Sequence, residues 1–315
     1  KYIYMKGKNI LVFGGSGQIG RNLIRKLTKN NHRVTAVTRN LHKKGYILKT
    51  MGNPGYIEII ESNIFDEENL NNLIKYKDIC INLVGILFEK KNNTFRNIHI
   101  NFPSALSRIC NENKIKQFIH ISALGIENAH DSSYAKSKLE GEKEIKKNFN
   151  KAKILRPSVI FSQGDNFSRN LMTLIGRLPI FPVYYNGQTK FSPIHCSDLT
   201  EIILKIIDEK IYSKIIECAG PEVISFKEII LILMKIIEKN RLIISMPILA
   251  AKITASLFEL FPNPLITNDQ LRLLKYDSVL SGKYKSNMIG WHSDNFDLKK
   301  EKVIFFINSI SKNLN

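Results

Sequence analysis

The segment Ser133-Tyr134-Ala135-Lys136-Ser137-Lys138 sets a tyrosine and a lysine four positions apart. On a helix that spacing puts both side chains on one face. An ammonium beside a phenol favours the phenolate and lowers its pKa. A phenol tuned in this way exchanges a proton with a substrate hydroxyl or carbonyl, while a nicotinamide exchanges the hydride. Lys138 would also hold the nicotinamide ribose. Ser122 ends the run Ile119-His120-Ile121-Ser122 and would hydrogen-bond the reacting oxygen. Tyr134, Lys138 and Ser122 are therefore the candidate catalytic group. The bland alternative is a partly buried tyrosine beside a surface lysine. Ser132 or Ser133 would substitute for Ser122, but either would equally cap the helix.

A second motif fits this chemistry. Val12-Phe13-Gly14-Gly15-Ser16-Gly17-Gln18-Ile19-Gly20 places glycines at 14, 17 and 20. Gly14 permits a tight turn, Gly17 lets the backbone approach a pyrophosphate at the helix N-terminus, and Gly20 lets that helix lie close to the strand. Ser16, Gln18 and Ile19 join these glycines in the candidate cofactor set. The second strand ends Val37-Thr38-Arg39-Asn40 without the acid that would bind a ribose 2′-hydroxyl. A guanidinium suits a 2′-phosphate, so NADP(H) is favoured over NAD(H), with Arg39 the chief contact. A solvated basic loop is the alternative, since His42, Lys43 and Lys44 follow.

The elements that must position these residues read as alternating strand and helix. Asn9–Phe13 is an apolar run stopped by glycine, and Gln18–Lys29 has Ile19, Leu23, Ile24 and Leu27 on one helical face. Strands follow at Val34–Thr38, Tyr56–Ile60, Asp78–Val84, Gln117–Ser122 and Ala152–Leu155. Between them lie a helix opened by Asp66, Glu67 and Glu68, a helix over Ile98–Asn113 and another over Ser133–Phe149. This rhythm predicts an α/β fold, a Rossmann-type doubly wound parallel sheet. After Arg156 prolines cluster at 157, 179, 182 and 193, and a smaller C-terminal mixed α/β lobe is expected. The expected division is 1–156 for nucleotide binding and 157–315 for the substrate lobe. His120, inside a strand, reads as a satisfied core histidine, and the segment around His195 reads as structural.

Composition narrows the partners. The net charge is +19 and the sequence pI about 9.7. Scattered lysines in a chain rich in Lys, Ile and Asn point first to composition bias and next to an acidic membrane surface. Nucleic acid is not expected, because no basic run is interleaved with aromatics. Cys80, Cys110, Cys196 and Cys218 form no CxxC pair; they read as reduced, buried thiols of a cytosolic protein, and no metal is expected. Lys1–Asn9 is too short and polar for a secretory signal. Leu242–Phe261 reads as one amphipathic helix rather than a membrane span, since it carries Pro247, Lys252 and Glu259; packing on the main domain is the favoured use and lying on a membrane surface the alternative.

The glycine loop, the YxxxK helix and Ile194-His195-Cys196-Ser197-Asp198-Leu199 resemble the extended and atypical short-chain dehydrogenase/reductases, the NAD-dependent epimerase/dehydratase kind. The resemblance puts Asn63 and Ile64 near the adenine, and Leu83, Val84 and Gly85 where the nucleotide passes the fourth strand. Pro157, in Leu155-Arg156-Pro157-Ser158, completes the cofactor set. A narrower likeness rests on Asn82-Leu83-Val84-Gly85-Ile86-Leu87, Phe95, His99, Gly220-Pro221-Glu222 and the stretch Leu260–Gln270. These resemble bacterial relatives of the 39 kDa NADPH-binding accessory subunit of respiratory complex I.

That likeness implies a tightly held NADPH and partners among complex I subunits or at the membrane surface, close to a quinone site. It implies a cytoplasmic chain, peripheral on the cytoplasmic face of the inner membrane. Only twelve positions separate Ser122 from Tyr134, where active enzymes of this kind usually carry a longer segment. An accessory or assembly role with a mainly structural cofactor is therefore expected. The intact Tyr134/Lys138 pair keeps open an active oxidoreductase or epimerase on a hydrophobic, quinone-like, lipid-like or sugar substrate. A third reading is a redox-sensing regulator.

Overall fold

The computed structural model describes residues 7–163, 165–261, 264 and 266–284. In chain order come β1 (Asn9–Phe13), α1 (Gln18–Lys29), β2 (Arg33–Thr38), α2 (Leu41–Lys49), β3 (Ile57–Glu61), α3 (Glu67–Ile74) and β4 (Ile79–Asn82). A π-helical turn at Arg96–Asn101 leads into α4 (Phe102–Glu112), then β5 (Gln117–Ile121), α5 (Ser133–Asn148) and β6 (Lys153–Pro157). Next are β7 (Ile160–Phe161), α6 (Asn166–Arg177), β8 (Ile180–Val183), β9 (Lys190–Phe191), β10 (Ile194–His195), α7 (Cys196–Ile207) and β11 (Ile215–Cys218). The last are β12 (Ile224–Ser225), α8 (Phe226–Ile236), β13 (Leu242–Ser245), α9 (Ile248–Glu259) and α10 (Asn268–Leu273).

The described residues form two compact units. One draws on the described residues within 7–122, 137–156 and 196–216; the other draws on those within 123–136, 157–195 and 217–284. The first holds a seven-stranded sheet in the order β11-β6-β5-β4-β1-β2-β3, parallel from β6 through β3. This is the expected doubly wound Rossmann-type sheet. Its order reverses between β1 and β4, and ligands of such sheets bind outside the carboxyl ends of the strands at that reversal.

Both faces of the central strands are covered, so β1 is apolar throughout its buried part, from Ile10 to Phe13. Phe13 meets Phe102 of α4 edge to face, with ring centroids 5.4 Å apart. On the other helix, Leu23, Ile24 and Leu27 of α1 are fully buried, as their spacing requires. α7 returns to this unit because α1 holds it: the Lys26 ammonium reaches Glu201 at 3.1 Å and the Ser197 carbonyl at 2.7 Å. Asp66 caps α3 by accepting the Asn69 N–H, with Glu67 and Glu68 in the first turn, matching the acidic opening of that helix.

The second unit packs α6 and α8 over short strand pairs. Its core includes Ile175, Phe181, Ile230 and Leu233. Here one expectation fails. Leu242–Phe261 is not one helix: Leu242–Ser245 is β13, paired in parallel with β8, and α9 starts only at Ile248. Pro247 is the cause, since it lacks an N–H and keeps the residue before it out of the helical region. All four cysteines are buried, and none is in a disulfide among the described residues. Among the described residues no helix is long and apolar enough to cross a membrane. The expectation for the N-terminus falls largely on residues 1–6, outside the described residues, as do Pro262, Asn263 and Leu265 of the Leu260–Gln270 signature.

Candidate functional site

In the first unit β1 runs directly into the glycine loop at the sheet reversal. Gly14 sits at φ +79°, and a Cβ there would come within 3.0 Å of the Leu83 carbonyl carbon. A Cβ on Gly20 would lie 2.4 Å from the Gly15 carbonyl oxygen, so only glycine lets α1 sit this close to the loop. The Gly17 N–H donates to the Gly14 carbonyl at 3.0 Å, closing the turn. Gly17 takes the N-cap position, no side chain caps α1, and no acid lies in its first turn. A backbone cradle without a carboxylate at a positive helix end fits a pyrophosphate. Ser16 and Gln18 are half-buried at its rim, and Ile19 follows Gln18 in the first turn of α1.

Around this cradle the other expected residues take definite places. Arg39 is exposed just past β2 and, among the described residues, has no ion pair. Asn40 beside it caps α2, accepting the Lys43 N–H at 2.8 Å. The nearby Glu61 carboxylate, in register with Thr38, accepts the Leu41 N–H at 2.6 Å. Asn63 is exposed and accepts the Phe65 N–H, whereas Ile64 points into the core. After β4, the Leu83 N–H donates to the Phe13 carbonyl and the Val84 N–H to Asn82 Oδ1. A Cβ on exposed Gly85 would stand 3.4 Å from Lys138 Nζ, so the structure brings the loop after β4 and Lys138 together.

Lys138 is buried, and its ammonium donates to the Ile121 carbonyl at 3.1 Å. Burial lowers it to about 8, although Glu142 one turn on pulls the other way. Glu142 is itself clamped by Arg156 in a buried bidentate pair at 2.8 and 2.7 Å. Sequence reasoning assigned no role to His99, which packs behind this lysine. Its Nε2 accepts the Ile86 N–H at 3.2 Å, and its Nδ1 lies 2.9 Å from Ser137 Oγ. Burial first, then Lys138 and His120, push His99 down to about 2, so the ring is neutral with its proton on Nδ1. Its place in the Phe95…His99 likeness was the only sequence signal. His120 pairs with Asn82 at 3.1 Å inside the core, a satisfied core histidine as expected.

Ser122 is buried just beyond Ile121. Its N–H donates to the Leu155 carbonyl at 2.7 Å, and among the described residues its hydroxyl has no hydrogen-bond partner.

Tyr134 and Lys138 lie on one continuous helix, as expected. The direction of the phenol's shift is the reverse of the expected one: desolvation raises Tyr134 to about 12. Losing water around the phenolate costs more than any stabilising charge returns. In the second unit the start of this helix is held by Asp269, from the Leu260–Gln270 stretch. Asp269 accepts the Ser133 N–H at 2.7 Å, the Tyr134 N–H at 2.9 Å and the Ser132 hydroxyl at 2.8 Å. Ser132 in turn accepts the Ala135 N–H, so Ser132 is the cap. Pro157 is buried, its carbonyl accepting the Leu124 N–H at 2.9 Å. Among the described residues no His, Cys, Asp and Glu group is placed to hold a metal.

Known proteins share this fold. The chain is 32% identical over 219 residues to NADH dehydrogenase (ubiquinone) 1 alpha subcomplex subunit 9 of Dictyostelium discoideum, covering 69% of this chain and only 60% of that protein. The same subunit of Mus musculus is 25% identical over 271 residues, covering 85% of this chain and 72% of that one. The solved structure of DesIV, a dTDP-glucose 4,6-dehydratase from Streptomyces venezuelae with NAD bound, matches with a TM-score of 0.71 at 13% identity, covering 97% of each chain. At that identity the match speaks for the fold. The resemblance read from the sequence is thus borne out in both parts, the epimerase/dehydratase fold and the complex I relatives. A family model, that of the NmrA-like family, matches residues 6–265, and the chain belongs to that family.

Proposed function

We propose that this chain binds NADP(H) as a mainly structural cofactor and works as an accessory or assembly protein of respiratory complex I. The observation that carries the first part is the Gly14–Gly20 cradle at the sheet reversal, where a Cβ at Gly20 would strike backbone. In this reading Gly14, Ser16, Gly17, Gln18, Ile19 and Gly20 take the pyrophosphate, and Arg39 takes the 2′-phosphate. Asn63 and Ile64 flank the adenine, Leu83–Gly85 and Pro157 border the nicotinamide half, and Lys138 holds its ribose. When bound, such a nucleotide supplies a hydride donor or acceptor. Tyr134, raised to about 12, keeps its proton at neutral pH and serves as a hydrogen-bond donor rather than a base.

The complex I part is supported by the subunit 9 relatives. The partners in this reading are complex I subunits and the cytoplasmic face of the inner membrane, near a quinone or lipid-like ligand. A second reading, an active oxidoreductase or epimerase, draws on the buried Ser122 hydroxyl, without a hydrogen-bond partner among the described residues, and the Tyr134/Lys138 helix. Membrane fractionation with a turnover screen separates the two. The accessory reading expects co-sedimentation with complex I and no turnover above the Tyr134→Phe background. A soluble chain whose turnover is lost in Tyr134→Phe contradicts it.

A further inference from the structure

In the first unit one side chain ties the loop after β4 to α5. Beyond Val84 that loop has left the sheet, and the Ile86 N–H is taken by His99 Nε2 at 3.2 Å rather than by a strand. The far side of the same ring meets α5, where His99 Nδ1 lies 2.9 Å from Ser137 Oγ. A neutral ring that accepts at Nε2 carries its proton at Nδ1, so it donates to Ser137 and both nitrogens are committed. The imidazole is rigid, and it sets the separation of its two partners.

His99 is itself firmly held. It stands in the π-helical turn Arg96–Asn101, an irregularity that re-aims side chains and often accompanies a functional site. Phe95 stacks on the ring, with centroids 5.4 Å apart and planes 19° from parallel. A Cβ on Gly141 would come within 1.9 Å of the His99 carbonyl oxygen, so only glycine lets α5 lie this close. Ser137 and Gly141 are four apart and share one face of α5. Lys138, next to Ser137, sends its ammonium to the Ile121 carbonyl. At Gly85 the two side chains converge: a Cβ there would stand 3.4 Å from Lys138 Nζ and 3.9 Å from His99 Nε2. Burial keeps the ring neutral, pushed down to about 2, so no second cation stands beside Lys138. Filling the core asks only for an apolar ring. Two directed hydrogen bonds, to a loop and a helix that border one ammonium, make a strut.

We propose that His99 is a positioning residue for the nicotinamide–ribose half of the bound nucleotide, fixing the loop Leu83–Ile86 at a set distance from Lys138 before the nucleotide arrives. This rests on the nucleotide reading above and deepens it by separating the two halves of the ligand. The adenine half, with its 2′-phosphate at Arg39, owes nothing to His99. The nicotinamide half finds Gly85 and Lys138 already spaced, so binding has less loop ordering to supply. His99 acts through Ile86 and Ser137 and does not itself touch the nucleotide.

The test sets two probes against the purified full chain: NADPH, and adenosine 2′,5′-bisphosphate, which lacks the nicotinamide half. His99→Asn keeps a donor toward Ser137 but is too short to accept from Ile86, whereas His99→Gln restores an acceptor near the Nε2 position. The expected result is that His99→Asn binds NADPH about tenfold more weakly and the bisphosphate unchanged, with most of the loss recovered in His99→Gln. Without nucleotide, amide exchange over residues 83–90 should quicken in His99→Asn and slow again in His99→Gln. Ser137→Ala, which frees the other end of the ring, should show the same split at about threefold, and it carries the test if His99→Asn does not fold. Equal losses for both probes would make His99 a support of the whole fold and overturn the proposal. So would a loss that His99→Gln does not repair, or NADPH binding that stays unchanged while the loop exchanges faster. Wild-type protein that binds both probes while His99→Asn weakens neither sinks this inference alone. Wild-type protein that binds neither sinks the nucleotide reading, and this inference falls with it.

Discussion

Asp269 and Tyr134 are joined by a 2.9 Å hydrogen bond from the Tyr134 backbone N–H to the Asp269 carboxylate, across 135 positions of sequence. The same carboxylate takes the Ser133 N–H and the Ser132 hydroxyl. A helix N-terminus leaves donors without internal partners, and a carboxylate there satisfies them and answers the dipole. The Leu260–Gln270 stretch therefore ties down the start of the helix that carries Tyr134.

Asp269→Ala should lower stability by about 2 kcal/mol, the loss of a charged cap with several hydrogen bonds. Asp269→Asn should recover part of it, because an amide oxygen still accepts. Denaturant unfolding of the three proteins checks this. Equal midpoints for all three would show that the cap carries no weight.

Much of the first unit was legible in local sequence. β1 and α1 have the expected ends because an apolar run, a glycine stop and a helical face are all short-range signals. The break at Pro247 was missed because the apolar content runs on through it, while the pairing of β13 with β8 depends on residues 62 positions away (242 against 180). The direction of the Tyr134 shift was missed for a similar reason. Spacing shows a lysine one turn on, but only the fold shows how much water the phenol loses and that the Lys138 ammonium is taken by the Ile121 carbonyl. Asp269 stood in a recognised stretch, yet nothing local could say what its carboxylate holds.

Arg39→Ala should weaken NADP(H) about tenfold or more and leave NAD(H) nearly unchanged, since a guanidinium–phosphate contact is worth about 1.5–3 kcal/mol. Titration calorimetry with both nucleotides reads the difference. A parallel loss for both would remove Arg39 from the 2′-phosphate.

Lys138 makes stability depend on pH with a definite sign. Burial brings it to about 8 from an ordinary value of 10.5. Between these values the unfolded chain binds the proton and the folded chain does not, so stability rises with pH across that window. Below it both states are charged and the full cost of burying the cation remains. Tyr134 acts in the opposite sense from about 10 to about 12, where the folded chain keeps a proton the unfolded chain has lost. Lys138→Met should flatten the rise above pH 8 in denaturant midpoints; an unchanged slope would assign it to another group.

The Glu142–Arg156 pair should behave as a buried ion pair, both side chains being at most 3% exposed. Glu142→Leu leaves the guanidinium uncompensated and should cost about 3–5 kcal/mol. Glu142→Leu/Arg156→Met should regain most of that, because two apolar groups leave no unpaired charge. A double variant no more stable than the single would mean that the pair holds the fold by a contact the apolar residues do not replace.

The most direct test of the central claim is to denature the purified protein and identify the released nucleotide by mass spectrometry, with its amount measured against the chain. A structural cofactor held by the Gly14–Gly20 cradle and Arg39 predicts close to one NADP(H) per chain after purification. An empty site, or NAD(H) that exchanges away on dialysis, would contradict it and favour a freely turning enzyme.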